Sequence, residues 1–381
     1  MINPFRYGGI VGEGSFCDRE QELRDLHRAM ENGERLFVYS ERRMGKTSLV
    51  RLALERLPRD AFDAAYIDLW PTDDEASFVA ATARGLSESL ATAPERVLEA
   101  ARAFFQRLQP SLVLDTQGRA ELRFALSATQ STGPELENVL RAPARIASRR
   151  AKQLVVVFDE FQRVLDYPSD RVERSLRSAV QEDAAVSYVF LGSQKHLIRQ
   201  MVLERTSPFY RAGGHFVLRP ISADAWDPFI RSRFSASDRG IDSTLIERII
   251  DLTGGHPFYT QHLCHTLWEL TEPACEATEA LLEDAVELLL ERESFAYLAL
   301  WESLAMMQRR LLAALSEQAP VEQIFASAFV QRHRLKSASA VQRAVRALLE
   351  RDLIDRSNGS YVVSDRFLAL WIRRRHPTRA A

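Results

Sequence analysis

The residues best suited to chemistry in this chain are Ser40-Glu41-Arg42-Arg43-Met44-Gly45-Lys46-Thr47, with Ser48 behind them. The apolar stretch Leu36-Phe37-Val38-Tyr39 precedes them, and apolar residues at helical spacing (Leu49, Val50, Ala53, Leu54, Leu57) follow. A strand–loop–helix junction of this composition suits phosphate. Backbone N–H groups at a helix start donate to anionic oxygens, and the helix dipole favours negative charge there. Gly45 allows close approach of the backbone. Lys46 would reach β- and γ-phosphates, and the Thr47 hydroxyl would ligate Mg2+. The general pattern G-x-x-x-x-G-K-[ST] has a glycine where this chain has Ser40. Ser40 through Ser48 are the candidate nucleotide ligands.

A second signal lies downstream. Leu154–Phe158 is an unbroken apolar run that ends in Asp159-Glu160. Asp159 would hold Mg2+, directly or through water, and Glu160 would polarise an attacking water. Acids at a strand end also serve as helix caps or loop residues, so the pair gains meaning from its place after the phosphate loop.

The elements that must position these residues alternate between strand and helix. Strands are expected at 35–39, 64–69, 154–158, 186–191 and 215–218, with helices at 46–57 and 78–90 between them. That order predicts a parallel sheet with helices on both faces. Segments 111–114 and 120–126, around Asp115-Thr116-Gln117-Gly118, read as an inserted hairpin of unassigned purpose. After Pro220 the pattern turns helical, with helices expected at 223–234, 243–252 and 257–270. An acidic stretch from Glu269 to Glu293 then carries nine acids and one base. Its apolar spacing suggests a helix with a solvated face. The last part reads as helices at 307–317, 321–332 and 337–351 and a hairpin around Ser357-Asn358-Gly359-Ser360, the parts of a winged helix-turn-helix. The expected domains are therefore 1–222 (α/β nucleotide-binding), 223–300 (helical lid) and 301–381 (winged helix).

Composition bounds the alternatives. A chain of 381 residues with 46% hydrophobic and 27% charged residues is globular and long enough for two or three domains. Its three cysteines are too scattered for a disulfide framework. No apolar run approaches a membrane span, and the start lacks the apolar core of a signal peptide, so a cytoplasmic location is expected. The net charge of −2 hides an asymmetry, with 14 Lys+Arg against 7 Asp+Glu from Trp301 onward. Lys336, Arg343, Arg346, Arg351 and Arg356 cluster about the third helix and wing. They suit either duplex DNA or plain solvation. Arg373-Arg374-Arg375 near the end is a tail contact or a solubilising end.

The sequence resembles the archaeal-type AAA+ ATPases, a branch close to the STAND signalling NTPases. The resemblance rests on Phe16-Cys17-Asp18-Arg19-Glu20-Gln21-Glu22-Leu23, on Arg42 to Leu49, on Asp159-Glu160-Phe161-Gln162, on Gly192-Ser193 and on Gly255-His256-Pro257. The closing Tyr361-Val362-Val363-Ser364-Asp365 and Trp371-Ile372 resemble the family's winged-helix segment. It implies a P-loop NTPase sheet of AAA+ type, a helical lid and a C-terminal winged helix. It implies ATP rather than GTP, bound with Mg2+ between core and lid. It places Ser193 where a polar side chain senses the γ-phosphate, although a helix N-cap is an equal reading there. It makes Arg211 a candidate arginine finger, against the alternative of a surface salt bridge. It also puts Val11, Phe16 and Pro257 about the adenine, where plain core packing is the alternative. The implied function is an ATP-driven molecular switch with slow or partner-stimulated turnover. A nucleotide-regulated DNA-binding protein and a STAND-like interaction module are the alternatives. ATP and ADP are expected ligands; a homo-oligomer, duplex DNA and an unidentified protein are candidate partners.

Overall fold

The computed structural model describes every residue except 1, 10, 11, 13, 15, 92, 115–117, 119, 125–132, 183–184, 358 and 378–381. In chain order the sheet-bearing part runs α1 (Glu20–Glu31), β1 (Arg35–Tyr39), α2 (Lys46–Glu55), β2 (Phe62–Asp68), α3 (Glu75–Glu88), α4 (Pro94–Phe105), β3 (Pro110–Leu114), β4 (Ala120–Phe124), α5 (Gly133–Arg150), β5 (Gln153–Asp159), α6 (Arg171–Glu182), β6 (Val186–Gly192), α7 (Lys195–Leu203) and β7 (Gly214–Val217). The remainder is α8 (Ala223–Ser235), α9 (Ser243–Thr253), α10 (Pro257–Leu270), α11 (Glu279–Ser303), α12 (Met306–Gln318), α13 (Ser327–Arg332), α14 (Ala338–Glu350), β8 (Ile354–Ser357), β9 (Ser360–Val363) and α15 (Arg366–Arg375). Two compact units result. One comprises Arg19–Arg42 and Lys46–Leu218; the other comprises Met1–Asp18, Arg43–Gly45 and Arg219–Ala381.

In the sheet unit, β1, β5 and β6 bury nearly every side chain, as continuous apolar strands covered on both faces must. The five strands are all parallel, in the order β2-β5-β6-β1-β7. Register brings Asp68 beside Asp159 and Tyr39 beside Gly192. The carboxyl ends of β1, β5 and β6 therefore share one sheet edge, and Ser40, Glu160 and Ser193 follow them there. Such an edge is where open parallel sheets place ligands. An aromatic cluster holds the strands at this depth. Phe37 and Phe190 stack at 4.8 Å, and Phe161 meets Phe190 at 4.5 Å. The expected hairpin is present as the antiparallel pair β3–β4; residues 125–126 of that expectation lie outside the described residues.

In the other unit, helices α8 to α15 share one apolar core with Phe5 and Cys17 of the N-terminal segment. Gly255 has a physical reason to be glycine. Its φ is +64°, and a Cβ there would lie 2.4 Å from the Ile221 carbonyl oxygen. The Ile221 backbone N–H donates to the Gly255 carbonyl at 3.0 Å, as does the Trp226 indole N–H at 3.1 Å. From Glu279 onward the acidic stretch is helical, in α11, with the expected apolar face buried and its acids on the open side. It buries Leu282, Ala285, Val286, Leu289, Leu290 and Tyr297. Its Glu283 and Glu287 hold Arg374 at 2.6 and 2.7 Å, and Glu287 holds Arg375 at 3.1 Å. Arg374 and Arg375 are thus engaged within the chain.

Helices α12, α13 and α14 with the β8–β9 hairpin form a winged helix. The helix expected over 321–332 is shorter than its sequence suggested. Val321 instead exchanges two backbone hydrogen bonds with Tyr361, at 3.1 and 2.8 Å. A β-branched residue after proline gains more from that bridge to the wing than from an exposed helical turn, and α13 begins only at Ser327.

Removing the Phe190 ring should cost about 3–5 kcal/mol, the range for emptying a large aromatic from a closed core. Phe295, which is 86% exposed on α11, should cost little. Thermal denaturation of F190A and F295A checks this; equal shifts of the melting midpoint would contradict the packing described.

Candidate functional site

The expected phosphate loop turns out of β1 at Ser40 and enters α2 at Lys46. Two of its residues have left-handed backbone, Arg43 at φ +59° and Gly45 at φ +86°. Gly45 takes that conformation without penalty, and a Cβ there would meet nothing within 4 Å. Ser40 is not among the positive-φ residues, so its backbone makes no demand for glycine. Its side chain does work a glycine could not. It is buried, and its Oγ receives a hydrogen bond from Lys46 Nζ at 3.2 Å.

Lys46 is the buried cation of the site. Its Nζ also donates to the Glu41 carbonyl at 2.9 Å and to the Ser40 carbonyl at 3.4 Å. Burial lowers its pKa from the usual 10.5 to about 8, against the opposing pull of the Glu160, Asp159 and Glu41 carboxylates. Met44 and Ser48 are buried, Glu41 and Thr47 are half-buried, and Arg42 is exposed. Arg43, grouped with the helical unit, holds its guanidinium 4.3 Å from the Phe258 ring centroid.

Asp159 closes the site from β5. Its Oδ2 accepts from Thr47 Oγ1 at 3.0 Å and from the Tyr66 hydroxyl, and its Oδ1 accepts from the Glu160 backbone N–H at 2.8 Å. Tyr66 rises from β2, where register sets it beside Val157. Burial and the adjoining carboxylate keep its phenol protonated, with its pKa raised. The Arg51 guanidinium packs 4.4 Å from its ring. Sequence reading missed Tyr66, because an alternating strand does not announce which neighbour it faces; only the β2–β5 register does.

Glu160 stands at φ +53°, ψ +41°, left-handed backbone in a residue that is not glycine. Strain of this kind costs on the order of 1–3 kcal/mol and concentrates at functional positions. Its Oε2 accepts from Ser193 Oγ at 2.6 Å and from Gln162 Nε2. Gln162 also lies 3.5 Å from Ser193 Oγ. Ser193 is therefore tied to the Glu160 carboxylate. The α7 N-cap position is occupied by Gln194, which makes no side-chain capping bond. Gln162 belonged to a recognised motif, but nothing in its spacing assigned it a partner.

The remaining candidates are not joined to this cluster. Arg211 is exposed and places its guanidinium 5.3 Å from the ring of its neighbour Tyr210. Among the described residues it makes no hydrogen bond to Lys46, Asp159, Glu160 or Ser193. Phe16 and Pro257 are half-buried in the helical unit. Pro257 is the first residue of α10, behind His256, whose Nδ1 accepts from the Phe258 N–H at 3.2 Å as an N-cap. Val11 lies outside the described residues.

Chemically, one sheet edge collects a buried lysine, a hydroxyl and carboxylate in contact, and a second carboxylate held by two polar side chains. That set suits a polyanion with a divalent cation. Comparisons with known proteins agree at the level of family and fold. A family profile described as an ATPase domain predominantly from Archaea matches residues 16–263, and one described as a probable winged helix domain matches residues 295–374. No curated protein matches by sequence. Among solved structures, the Walker-type ATPase paby2304 of Pyrococcus abyssi aligns with 96% of this chain and 98% of its own, at a TM-score of 0.65 and 16% identity. The ORC2 protein of Aeropyrum pernix, in its ADPNP-ADP complexes, aligns with 97% and 96%, at a TM-score of 0.56 and 14% identity. Among the described residues, no helix is long and apolar enough to cross a membrane.

Lys46 gives a test that needs no ligand. Its folded pKa lies below its unfolded value, so the unfolded chain binds more protons between about pH 8 and 10.5, and stability rises with pH across that window. The chain has four lysines, Lys46, Lys152, Lys195 and Lys336, few enough to resolve one by one. NMR titration of lysine-labelled protein should show one amine with a midpoint near 8 that vanishes in K46M; four midpoints near 10.5 would contradict the burial described.

Proposed function

The chain belongs to the family of ATPase domains found predominantly in Archaea, and from that premise we propose that it binds ATP with Mg2+ and hydrolyses it as a molecular switch. The observation that carries this reading is the contact of Thr47 Oγ1 with Asp159 Oδ2 at 3.0 Å, beside a buried Lys46. A hydroxyl and a carboxylate are hard oxygen donors, the kind Mg2+ takes in small number when phosphates complete its shell. Thr47 and Asp159 would hold the ion, which supplies neutralisation of phosphate charge when bound. Tyr66 would fix the Asp159 carboxylate so that it presents one orientation.

The chain's own groups divide the remaining work. Loop N–H groups from Glu41 to Thr47 would cradle the phosphates. The Lys46 ammonium would leave its carbonyl partners for the β- and γ-phosphate oxygens. A bound polyanion favours the charged amine, so affinity falls as pH rises through the Lys46 pKa. Glu160 would take the proton of the attacking water at its carboxylate, and Ser193 and Gln162 would set that carboxylate's direction. Val11, Phe16 and Pro257 remain proposed adenine contacts. Arg211, exposed and outside the cluster, is proposed as a finger acting on a second copy of the chain. Turnover would then be slow in the monomer and coupled to movement of the helical lid and winged helix.

Replacing Glu160 by Gln should lower hydrolysis at least a hundredfold while ATP affinity stays within about threefold, since the amide cannot accept the proton but keeps the shape. K46A should lose ATP binding. Phosphate-release assays and calorimetry read both; wild-type turnover in E160Q, or unchanged affinity in K46A, would refute the assigned roles.

A second reading, nucleotide-regulated DNA binding, is favoured by the exposed Lys336 and Arg343 on the winged helix. Arg346 and Arg351 are partly engaged, with Glu350 at 2.9 Å and the Ser303 hydroxyl at 2.9 Å. Removing Lys336 and Arg343 together should flatten the slope of log affinity for duplex DNA against log salt by about 1–2. An unaltered slope would exclude this face.

A further inference from the structure

The winged-helix region carries a second concave site, one that no phosphate-loop residue lines. A cavity of about 300 Å3 opens among the end of α11, the first half of α12, the residues that close α13 and the end of α15. Nothing in its lining comes from α14 or from the β8–β9 wing. Four guanidinium side chains line it, those of Arg309, Arg310, Arg332 and Arg334, and among the described residues no Asp or Glu does. Arg332 and Arg334 are exposed along with Arg310, while Arg309 is half-buried. Arg309 spends two bonds on backbone, to the Leu304 carbonyl at 2.9 Å and the Glu302 carbonyl at 2.6 Å. Arg310 reaches the Arg334 carbonyl at 3.1 Å. No ion pair neutralises any of the four among the described residues. Like charges gathered round a concavity repel one another unless an anion joins them.

Other side chains complete the lining. His333 is among them and is only 8% exposed; its Nε2, closed off from solvent, has no hydrogen-bond partner among the described residues. Buried polar atoms are almost always satisfied, so an orphaned one calls for a partner such as a water or an ion. Burial also lowers the His333 pKa, with Glu317 pulling the other way and Arg332 adding to the fall. The imidazole adds no permanent charge, and it can donate or accept. The lining also carries apolar surface: Trp301, half-buried and stacked on His376 at 4.6 Å and 15°, and the exposed Met306.

We propose that this cavity binds a small organic phosphate, with the phosphoryl group among the arginines and the apolar part against Trp301 and Met306. Guanidinium groups match phosphate oxygens in forked pairs. The volume sits at the lower bound of small-ligand pockets, which fits a molecule the size of a nucleoside monophosphate. The site does not depend on the ATPase reading, since no phosphate-loop residue contributes to it.

Calorimetry on the full chain with uridine monophosphate tests the assignment in three arms: the wild-type protein, K46A, and R332Q/R334Q. The first two should bind with equal affinity, and the arginine pair should bind at least tenfold more weakly. Inorganic phosphate should bind the wild type at least tenfold more weakly than the nucleotide. The proposal is overturned by any of four results: no binding to the wild type, binding indifferent to the arginine pair, loss of binding in K46A, or equal affinity for inorganic phosphate. A 5′-phosphorylated oligonucleotide that outcompetes the mononucleotide would make the site a nucleic-acid contact and also overturn it. Should the double variant fail to fold, R332E alone, at an exposed position, reads the same loss.

Discussion

An ammonium buried under a loop of backbone carbonyls is costly unless something nearby pays for its desolvation. In this protein Lys46 is that ammonium, and its surroundings are arranged about the cost. Two loop carbonyls and the Ser40 hydroxyl take its hydrogen bonds. The Asp159 and Glu160 carboxylates offset burial through space, yet the pKa still falls to about 8. Burial thus outweighs the nearby carboxylates, and an anion brought against the ammonium would favour its charged form. A triphosphate is such an anion, and the loop's helix-start N–H groups and the Thr47–Asp159 contact beside it are what make the loop read as its site.

The sheet makes the arrangement possible. Strands β1, β5 and β6 end together because they are parallel and in register, so Ser40, Asp159 and Ser193 arrive at one edge from distant parts of the chain. The aromatic layer of Phe37, Phe158, Phe161 and Phe190 sits directly behind that edge and leaves it little freedom. Tight packing there explains how Glu160 is held in left-handed backbone. A strained residue persists only where its neighbours over-determine it, and Phe161 next in the chain is fully buried.

Much of this was legible in the residues. Gly45-Lys46-Thr47 and Asp159-Glu160 are defined by chemistry at fixed places relative to a strand, and apolar runs mark buried strands strongly. The strands and the winged-helix parts followed from the same signals. The pairing of Thr47 with Asp159 was implied by their roles, but the hydroxyl of Tyr66 and the amide of Gln162 were not, because their partners are set by sheet register and by a turn. Helices α4, α5, α6 and α7 went unassigned although their apolar residues do recur at helical spacing, as Val172, Leu176 and Val180 in α6 and Leu136, Val139, Leu140 and Ile146 in α5 show. The helix expected from Val321 failed for a long-range reason, its pairing with Tyr361 in the wing. The acidic stretch was legible as a helix with a solvated face, but no local rule links its Glu283 and Glu287 to arginines almost ninety residues away. The arginine-lined cavity was invisible for the same cause: its four guanidiniums come from α12, α13 and the turn after it.

The most direct test of the central claim is the position of the metal. A crystal grown with Mn2+ and a non-hydrolysable ATP analogue should show its anomalous peak beside Thr47 Oγ1 and Asp159, with the γ-phosphate against Lys46 Nζ. A peak elsewhere, with Lys46 still bonded to the Ser40 and Glu41 carbonyls, would contradict the account.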